Sequence, residues 1–182
     1  MNNKANIPSV LYDTDTNKPF TNCIECECEL LYSNTTYLIE KVYKRYPNST
    51  KETVLFEFAI CYECAEKLHS KMSVMSKQRM LEYFSKLAGI ANRNKEMFEA
   101  HGYLIDGWIS KCVFKEIDIQ QLEQYHLVAL CQGEQIIYDV MPYMISDIVE
   151  EEIQELLSEE TKEEMDDFTK RHFGLPDRKS VV

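Results

Sequence analysis

The amino-acid sequence predicts an α+β fold, and three observations support this class. Residues 53–60 alternate apolar and polar side chains, which is typical of a half-buried strand. Residues 77–88 instead repeat apolar side chains at the helical interval, from Met80 onward. Two helix-capping signatures occur near the C-terminus. Strands and helices are therefore expected in separate stretches of one chain.

The first half of the chain predicts a β-hairpin followed by helices. Residues 36–46 are rich in β-branched and aromatic side chains and favour a strand. The turn signal Pro-Asn-Ser-Thr at 47–50 connects this strand to the strand over 53–60. Residues 65–72 have helical composition, and Ser76 is expected to cap the helix after them. Residues 1–22, before the first cysteine pair, are expected to be irregular.

The second half predicts a small antiparallel sheet. Residues 108–114 favour a short strand. Residues 125–131 and 135–140 flank Gly133 and predict a hairpin. Pro142 is expected to end its second strand.

Two acidic helices are predicted after this sheet. Ser146 and Asp147 open the first helix, which is expected to reach Leu157. A second capping signature at 161–164 begins the last helix, and Gly174 ends it.

Charge is distributed unevenly along the chain, whose formal net charge is −11. Residues 1–95 carry 13 basic and 11 acidic side chains, a net of +2, whereas residues 96–182 carry 7 and 20, a net of −13. This asymmetry predicts two parts, 1–95 and 96–182, which can pack as one domain. The acidic part would repel nucleic acid, so any nucleic-acid surface is expected on the first part.

Four cysteines form the strongest motif of the sequence. Cys23 and Cys26 make one Cys-x-x-Cys pair, and Cys61 and Cys64 make another after 34 intervening residues. A two-residue spacer lets both thiolates of a pair bind one tetrahedral metal. The sequence thus predicts one Zn²⁺ ion held by all four cysteines. Since four thiolates fill the coordination sphere, the predicted role of this zinc is structural.

The order of these elements resembles that of a treble-clef zinc finger over residues 20–72. A Cys-x-x-Cys turn precedes the hairpin, and the second pair opens a helix. The chain departs from common examples because Glu25 and Glu27 stand where proline or glycine is usual. The whole chain also resembles uncharacterised bacterial proteins that combine such a finger with an acidic helical tail. The resemblance implies a zinc-stapled hairpin and helix, followed by the small sheet and two acidic helices, but no particular function.

Alternative roles for the cysteines remain open. Cys61 and Cys64 lie at a predicted helix N-terminus, where the helix dipole lowers thiol pKa values, so a thiol or redox enzyme is an alternative. Cys28 and His69 are possible substitute ligands. Cys112 and Cys131 lie near His101, Asp106 and His126 in the sequence. These residues could form a second metal site or a Cys–His pair, but both cysteines are better interpreted as core residues.

Basic side chains interleaved with tyrosines on the first hairpin provide an alternative function, the binding of single-stranded nucleic acid. The candidate contacts are Lys41, Lys44, Arg45 and Lys51. Exposed lysines on a hairpin also protect sheet edges from aggregation, so this pattern is not specific.

The favoured function is a protein-interaction or scaffold module, because the acidic C-terminal helices suit contact with a second copy or a basic partner. No sequence motif nominates catalytic residues, which favours a protein that is not an enzyme. The N-terminus lacks the apolar segment of a signal peptide, and the longest apolar run, 54–62, is far shorter than the ~20 residues of a membrane span. The sequence therefore predicts a cytoplasmic protein that does not enter a membrane.

Overall fold

The chain has a mixed α+β fold, as predicted. The computed structural model describes residues 3–46, 51–85 and 90–174, with residues 90 and 91 described through their backbone alone. The strands are β1 (Lys4–Asn6), β2 (Thr36–Arg45), β3 (Glu52–Cys61), β4 (Gln124–Gln132), β5 (Gln135–Ile137) and β6 (Tyr143–Ser146). The helices are α1 (Tyr62–Lys71), α2 (Val74–Ser85), α3 (Ile90–His101), α4 (Ile105–Trp108), α5 (Asp147–Leu156) and α6 (Glu159–Phe173).

All six strands join one antiparallel sheet in the order β1-β5-β4-β2-β3, with β6 also paired to β4. The long strand β4 pairs with β2 along one edge. Its other edge is divided between β6, opposite residues 125–128, and β5, opposite residues 130–132. Strands that precede residue 95 in the sequence thus pair with strands that follow it. The division into parts 1–95 and 96–182 stays a prediction.

The first face of the sheet lies against the N-terminal segment. Tyr37, Ile39 and Leu127 alternate onto this face and are fully buried. The Tyr43 hydroxyl donates a hydrogen bond of 3.1 Å to the carbonyl oxygen of Val10. This contact fixes the segment before the first cysteine pair on the sheet.

The second face lies against α1, α5 and α6. Phe56 and Phe58 of β3 alternate onto it, together with His126 of β4. The ring of Phe58 packs on that of Phe168 of α6, with 5.5 Å between centroids. Phe173, at the end of α6, packs against both phenylalanines of β3.

Most predicted strands are present. Those over 36–46 and 53–60 are β2 and β3, whereas the turn predicted at 47–50 lies outside the described residues. The hairpin around Gly133 is formed by β4 and β5, and its glycine has a left-handed backbone with φ 54°. The second strand ends at Ile137, three residues before the predicted limit.

The prediction of a strand over 108–114 was wrong. Trp108 ends the short helix α4, and the chain after it makes a tight turn in which the amide of Glu116 donates to the carbonyl of Cys112. Cys112 makes an isolated bridge to Met144, so it contacts the sheet without continuing a ladder. Apolar side chains of this stretch pack into the fold although the backbone forms a turn. An apolar run in a sequence therefore does not by itself distinguish a turn from a strand.

Four hydroxyl side chains join the beginnings of α2 and α6. Ser73 caps α2 by accepting from the amide of Ser76, and Ser158 caps α6 by accepting from that of Thr161. The Ser158 amide donates to Ser76 Oγ at 2.8 Å, and the Ser73 amide donates to Thr161 Oγ1 at 3.0 Å. Both helices therefore begin two residues before the predicted caps Ser76 and Thr161, because Ser73 and Ser158 are the caps. The side chains of Ser76 and Thr161 are instead buried in the contact between the helix ends.

Replacing Ser158 by alanine is expected to destabilise the fold by about 1–2 kcal/mol, since it removes a helix cap and a hydroxyl that neighbouring groups use. Chemical denaturation measures the change. The exposed Ser70→Ala is the matched control, for which a change within about 0.5 kcal/mol is expected. Equal stability of Ser158→Ala and Ser70→Ala would contradict the structural role given to this cluster.

Candidate metal centre

The two cysteine pairs meet at the corner between β3 and α1. Cys61 is the last residue of β3 and the N-cap of α1, and Cys64 lies in the first turn of that helix. Cys23 and Cys26 belong to a tight turn before the hairpin. The predicted convergence of the pairs is confirmed, because the four Sγ atoms all lie within 4.8 Å of one another.

The sulfur geometry fits a tetrahedral ion. Cys26 Sγ and Cys61 Sγ are 3.8 Å apart. A tetrahedron with metal–sulfur bonds of about 2.3 Å has sulfur–sulfur edges of about 3.8 Å. Cys23, Cys61 and Cys64 are buried, while Cys26 is exposed. Four thiols placed in this way can hold a metal ion.

Backbone hydrogen bonds hold the first pair against β3. The amide of Ile24 donates to the carbonyl of Ala59 at 2.8 Å, and the amide of Cys61 donates to Cys23 Sγ at 3.3 Å. Within the turn, the amide of Cys23 donates to the carbonyl of Cys28 at 2.9 Å. The chain itself therefore positions the sulfurs.

Glu27 occupies the position after the first pair where glycine is usual. Its φ is 59°, in the left-handed region that favours glycine. Its carbonyl accepts a hydrogen bond of 2.9 Å from Asn22 Nδ2, which supports this conformation. Glu27 thus adopts a backbone conformation that favours glycine, and Asn22 supports it.

Burial sets the ionisation of the second pair. It raises the pKa of Cys61 and, more strongly, that of Cys64. The pKa of Cys26 is lowered to about 7, mainly by a hydrogen bond from the backbone of Cys28. A nucleophilic cysteine needs a lowered pKa, so the directions at Cys61 and Cys64 do not favour a thiol enzyme there.

The proposed substitute ligands lie outside this group. Cys28 is half-buried, and burial raises its pKa to about 12. His69 is exposed on α1. Across residues 3–46, 51–85 and 92–174, the cluster of four cysteines is the group found with metal-binding geometry.

Cys112 and Cys131 are both buried. Cys112 Sγ accepts a hydrogen bond of 3.4 Å from the amide of Ser146. Burial raises the pKa of Cys131 to about 12. These environments agree with the interpretation of both as core residues.

The basic candidates on the first hairpin are divided between the interior and the surface. Lys41 is 3% exposed and pairs with Glu57 at 2.9 Å. Arg45 forms an ion pair with Glu52 and donates to the carbonyl of Ile119 at 2.7 Å. Lys44 and Lys51 are exposed. Lys41 and Arg45 are thus engaged in ion pairs within the fold.

Sequence reasoning missed a connection between the first cysteine turn and α6. Glu25 Oε1 lies 2.8 Å from Arg171 Nη1, and its Oε2 lies 2.6 Å from His172 Nε2. Burial would raise the pKa of Glu25, but the hydrogen bonds and charges of His172 and Arg171 outweigh it and lower that pKa. No sequence signal links these residues, because 146 positions separate Glu25 from Arg171.

The variant Glu27→Gly is expected to keep metal binding and to raise the unfolding free energy by up to about 1 kcal/mol. Glycine removes the strain that a side chain causes in a left-handed backbone conformation. Glu27→Val is expected to lower the unfolding free energy by more than 1 kcal/mol, since a β-branched side chain tolerates this backbone least. Thermal and chemical denaturation of metal-loaded protein measure both. Equal effects of the two substitutions would contradict the assigned backbone.

No family model, curated protein or solved structure matches this chain. Within the part of the chain that the structure describes, no helix combines the length and apolar character needed to cross a membrane. The function must therefore be inferred from the geometry of this centre and of the surfaces around it.

Proposed function

We propose that this chain is a non-catalytic binding protein whose fold is stabilised by one zinc ion. The observation that carries the proposal is the convergence of four sulfurs within 4.8 Å. Cys23, Cys26, Cys61 and Cys64 would all bind the ion, which leaves no coordination site for water or substrate. Catalytic zinc ions keep such a site, whereas structural zinc ions do not.

Zinc is the ion that this donor set favours. Tetrahedral sites of four thiolates select zinc or iron. The N-terminus of α1, at Cys61 and Cys64, adds the positive end of a helix dipole beside a centre that would carry excess negative charge. The order of cysteine turn, hairpin β2–β3 and helix α1 supports a treble-clef-like site over residues 20–72.

The acidic surface of α5 and α6 supports a protein partner with a basic surface. Glu151 and Glu155 are exposed on α5, and Glu160 and Asp167 are exposed on α6. The net charge of −11 adds to the negative potential of these helices. A partner with a complementary basic surface would associate faster and be selected over an acidic one. The proposed partner is a second protein, or another copy through a basic part of its surface.

The two alternatives stay predictions. Nucleic-acid binding by the first hairpin would have to compete with the ion pairs of Lys41 and Arg45 with carboxylates. A thiol enzyme would need Cys61 or Cys64 to ionise readily, and burial opposes this.

Removal of the metal tests the structural role. Purified protein is expected to contain one zinc and no iron per chain by elemental analysis. A strong chelator, or Cys64→Ser, is expected to remove the ion and reduce the unfolding free energy by several kcal/mol, because structural zinc contributes on the order of 10 kcal/mol. Circular dichroism and denaturation measure the loss.

Cys28→Ser is the control for Cys64→Ser, because Cys28 is near the centre but outside the group of four. It is expected to keep one zinc and nearly unchanged stability. Full structure and stability in metal-free protein would overturn the structural role. Equal metal loss in Cys28→Ser and Cys64→Ser would overturn the ligand set.

Charge reversal tests the partner surface. The double variant Glu151→Lys and Glu155→Lys is expected to capture at least tenfold less of the protein's partners at low salt, since it removes most of the negative charge of α5. The control is Glu96→Lys with Glu99→Lys, which makes the same charge change on exposed positions of α3. Affinity capture from lysate, quantified by mass spectrometry at two salt concentrations, compares them. Equal capture by both variants would exclude the α5 surface.

A further inference from the structure

A cavity of about 350 Å³ lies between the second face of the sheet and helices α1, α5 and α6. This volume is in the range of small-molecule sites, which begin near 300 Å³. The apolar wall of this sheet–helix cavity is aromatic and aliphatic: Leu38, Phe56, Phe58, Leu68, Phe168 and Phe173. Most of these side chains are only partly buried, so apolar surface is accessible inside the cavity.

The charged groups of the cavity are acidic. Glu40 of β2, Glu150 of α5 and Glu164 of α6 contribute to its lining. Among the described residues that line it, none is a lysine or an arginine. Anionic ligands such as carboxylates and phosphates would be repelled there, whereas a cation would be attracted. Aromatic ring faces also attract organic cations.

His126 adds a polar group that the fold leaves without a partner. It lines the cavity and is 7% exposed. Its Nδ1 lies 3.4 Å from Glu40 Oε1, and its Nε2 is buried with no hydrogen-bond partner in the described part of the chain. Burial lowers the pKa of His126, but the carboxylates of Glu40, Glu150 and Asp147 outweigh it and raise that pKa. In the neutral form of the ring, with Nδ1–H toward Glu40, Nε2 is a hydrogen-bond acceptor. Buried polar groups are nearly always paired, so this nitrogen points to a missing donor.

We propose that the sheet–helix cavity binds a small organic ammonium ion with an apolar body. The phenylalanine rings contact the apolar body. An N–H of the ammonium group donates to Nε2 of the neutral His126 ring, and the carboxylates of Glu40 and Glu150 balance its charge. Glu164 is already paired with Lys71 at 3.1 Å. This small-molecule site is separate from the cysteine centre and from the exposed acidic residues of α5 and α6.

Three probes of matched shape test the chemical class: phenylbutylamine, phenylbutanol and phenylbutyrate. They share one apolar body and differ in a positive, neutral or negative end. Calorimetric titration of the full-length, metal-loaded protein is expected to give an amine affinity at least tenfold above that of the alcohol. No measurable binding is expected for the carboxylate. Binding of the alcohol or the carboxylate as tight as that of the amine would overturn the charge selectivity.

Four variants test the location. His126→Phe removes Nε2 and keeps an apolar ring, and Glu40→Gln removes one charge; each is expected to weaken amine binding at least tenfold. Met165→Trp enlarges a partly exposed side chain of the cavity lining and is expected to abolish binding. Glu96→Gln changes charge at an exposed residue of α3 outside the lining, and is expected to leave the affinity within twofold.

Nuclear magnetic resonance of the His126 ring gives an independent readout, because amine binding is expected to shift its Nε2 signal. Amine affinity unchanged in both Glu40→Gln and Met165→Trp would overturn the site. An unshifted Nε2 signal in saturated wild-type protein would overturn the role of His126. Absence of binding by all three probes at millimolar concentration would overturn the proposal as a whole.

Discussion

The convergence of two distant cysteine pairs at one corner is the constraint on which the first third of the molecule depends. Cys61 ends β3, caps α1 and brings its sulfur to 3.8 Å from that of Cys26. Closing a loop of 34 residues costs on the order of 3 kcal/mol of chain entropy. Structural zinc contributes on the order of 10–16 kcal/mol, so a bound ion exceeds this cost several-fold. An ion at this corner would fix the hairpin and the first helix together.

The same corner also connects to the end of the chain. Glu25, inside the first cysteine turn, holds Arg171 and His172 of α6. The aromatic side chains of α6 pack on β3, which leads into the second cysteine pair. Helix α6 therefore contacts the cysteine corner through Arg171 and His172, and the second face of the sheet through Phe168 and Phe173.

The parts of the fold that the sequence predicted are those with strong local signals. The alternation over 53–60 and the glycine at 133 specified β3 and the second hairpin, because periodicity and turn chemistry are local properties. The two-residue spacing within each cysteine pair predicted the candidate ligands, because that spacing follows from metal geometry. The capping residues Ser146 and Gly174 lie where helices α5 and α6 begin and end.

The remaining features depend on long-range contacts. Strand β1 consists of three residues that pair with β5, about 130 positions away, and no local pattern marks it. Lys41 has the sequence context of a surface hairpin lysine, yet its pairing with Glu57 and its position under the N-terminal segment bury it. His126 and Glu40 are neighbours through the pairing of β2 with β4. The sequence around either residue alone therefore does not predict their contact.

The placement of β1 has a consequence for the order in which the chain acquires its structure. The cysteine corner joins residues within a span of 42 positions, Cys23 to Cys64, so it can close early in synthesis. The outer edge of the sheet closes late, because Ala5 faces Ile136 and its partner strand must first exist. During translation, β1 leaves the ribosome well before β5, so it would be among the last strands to reach its native neighbour.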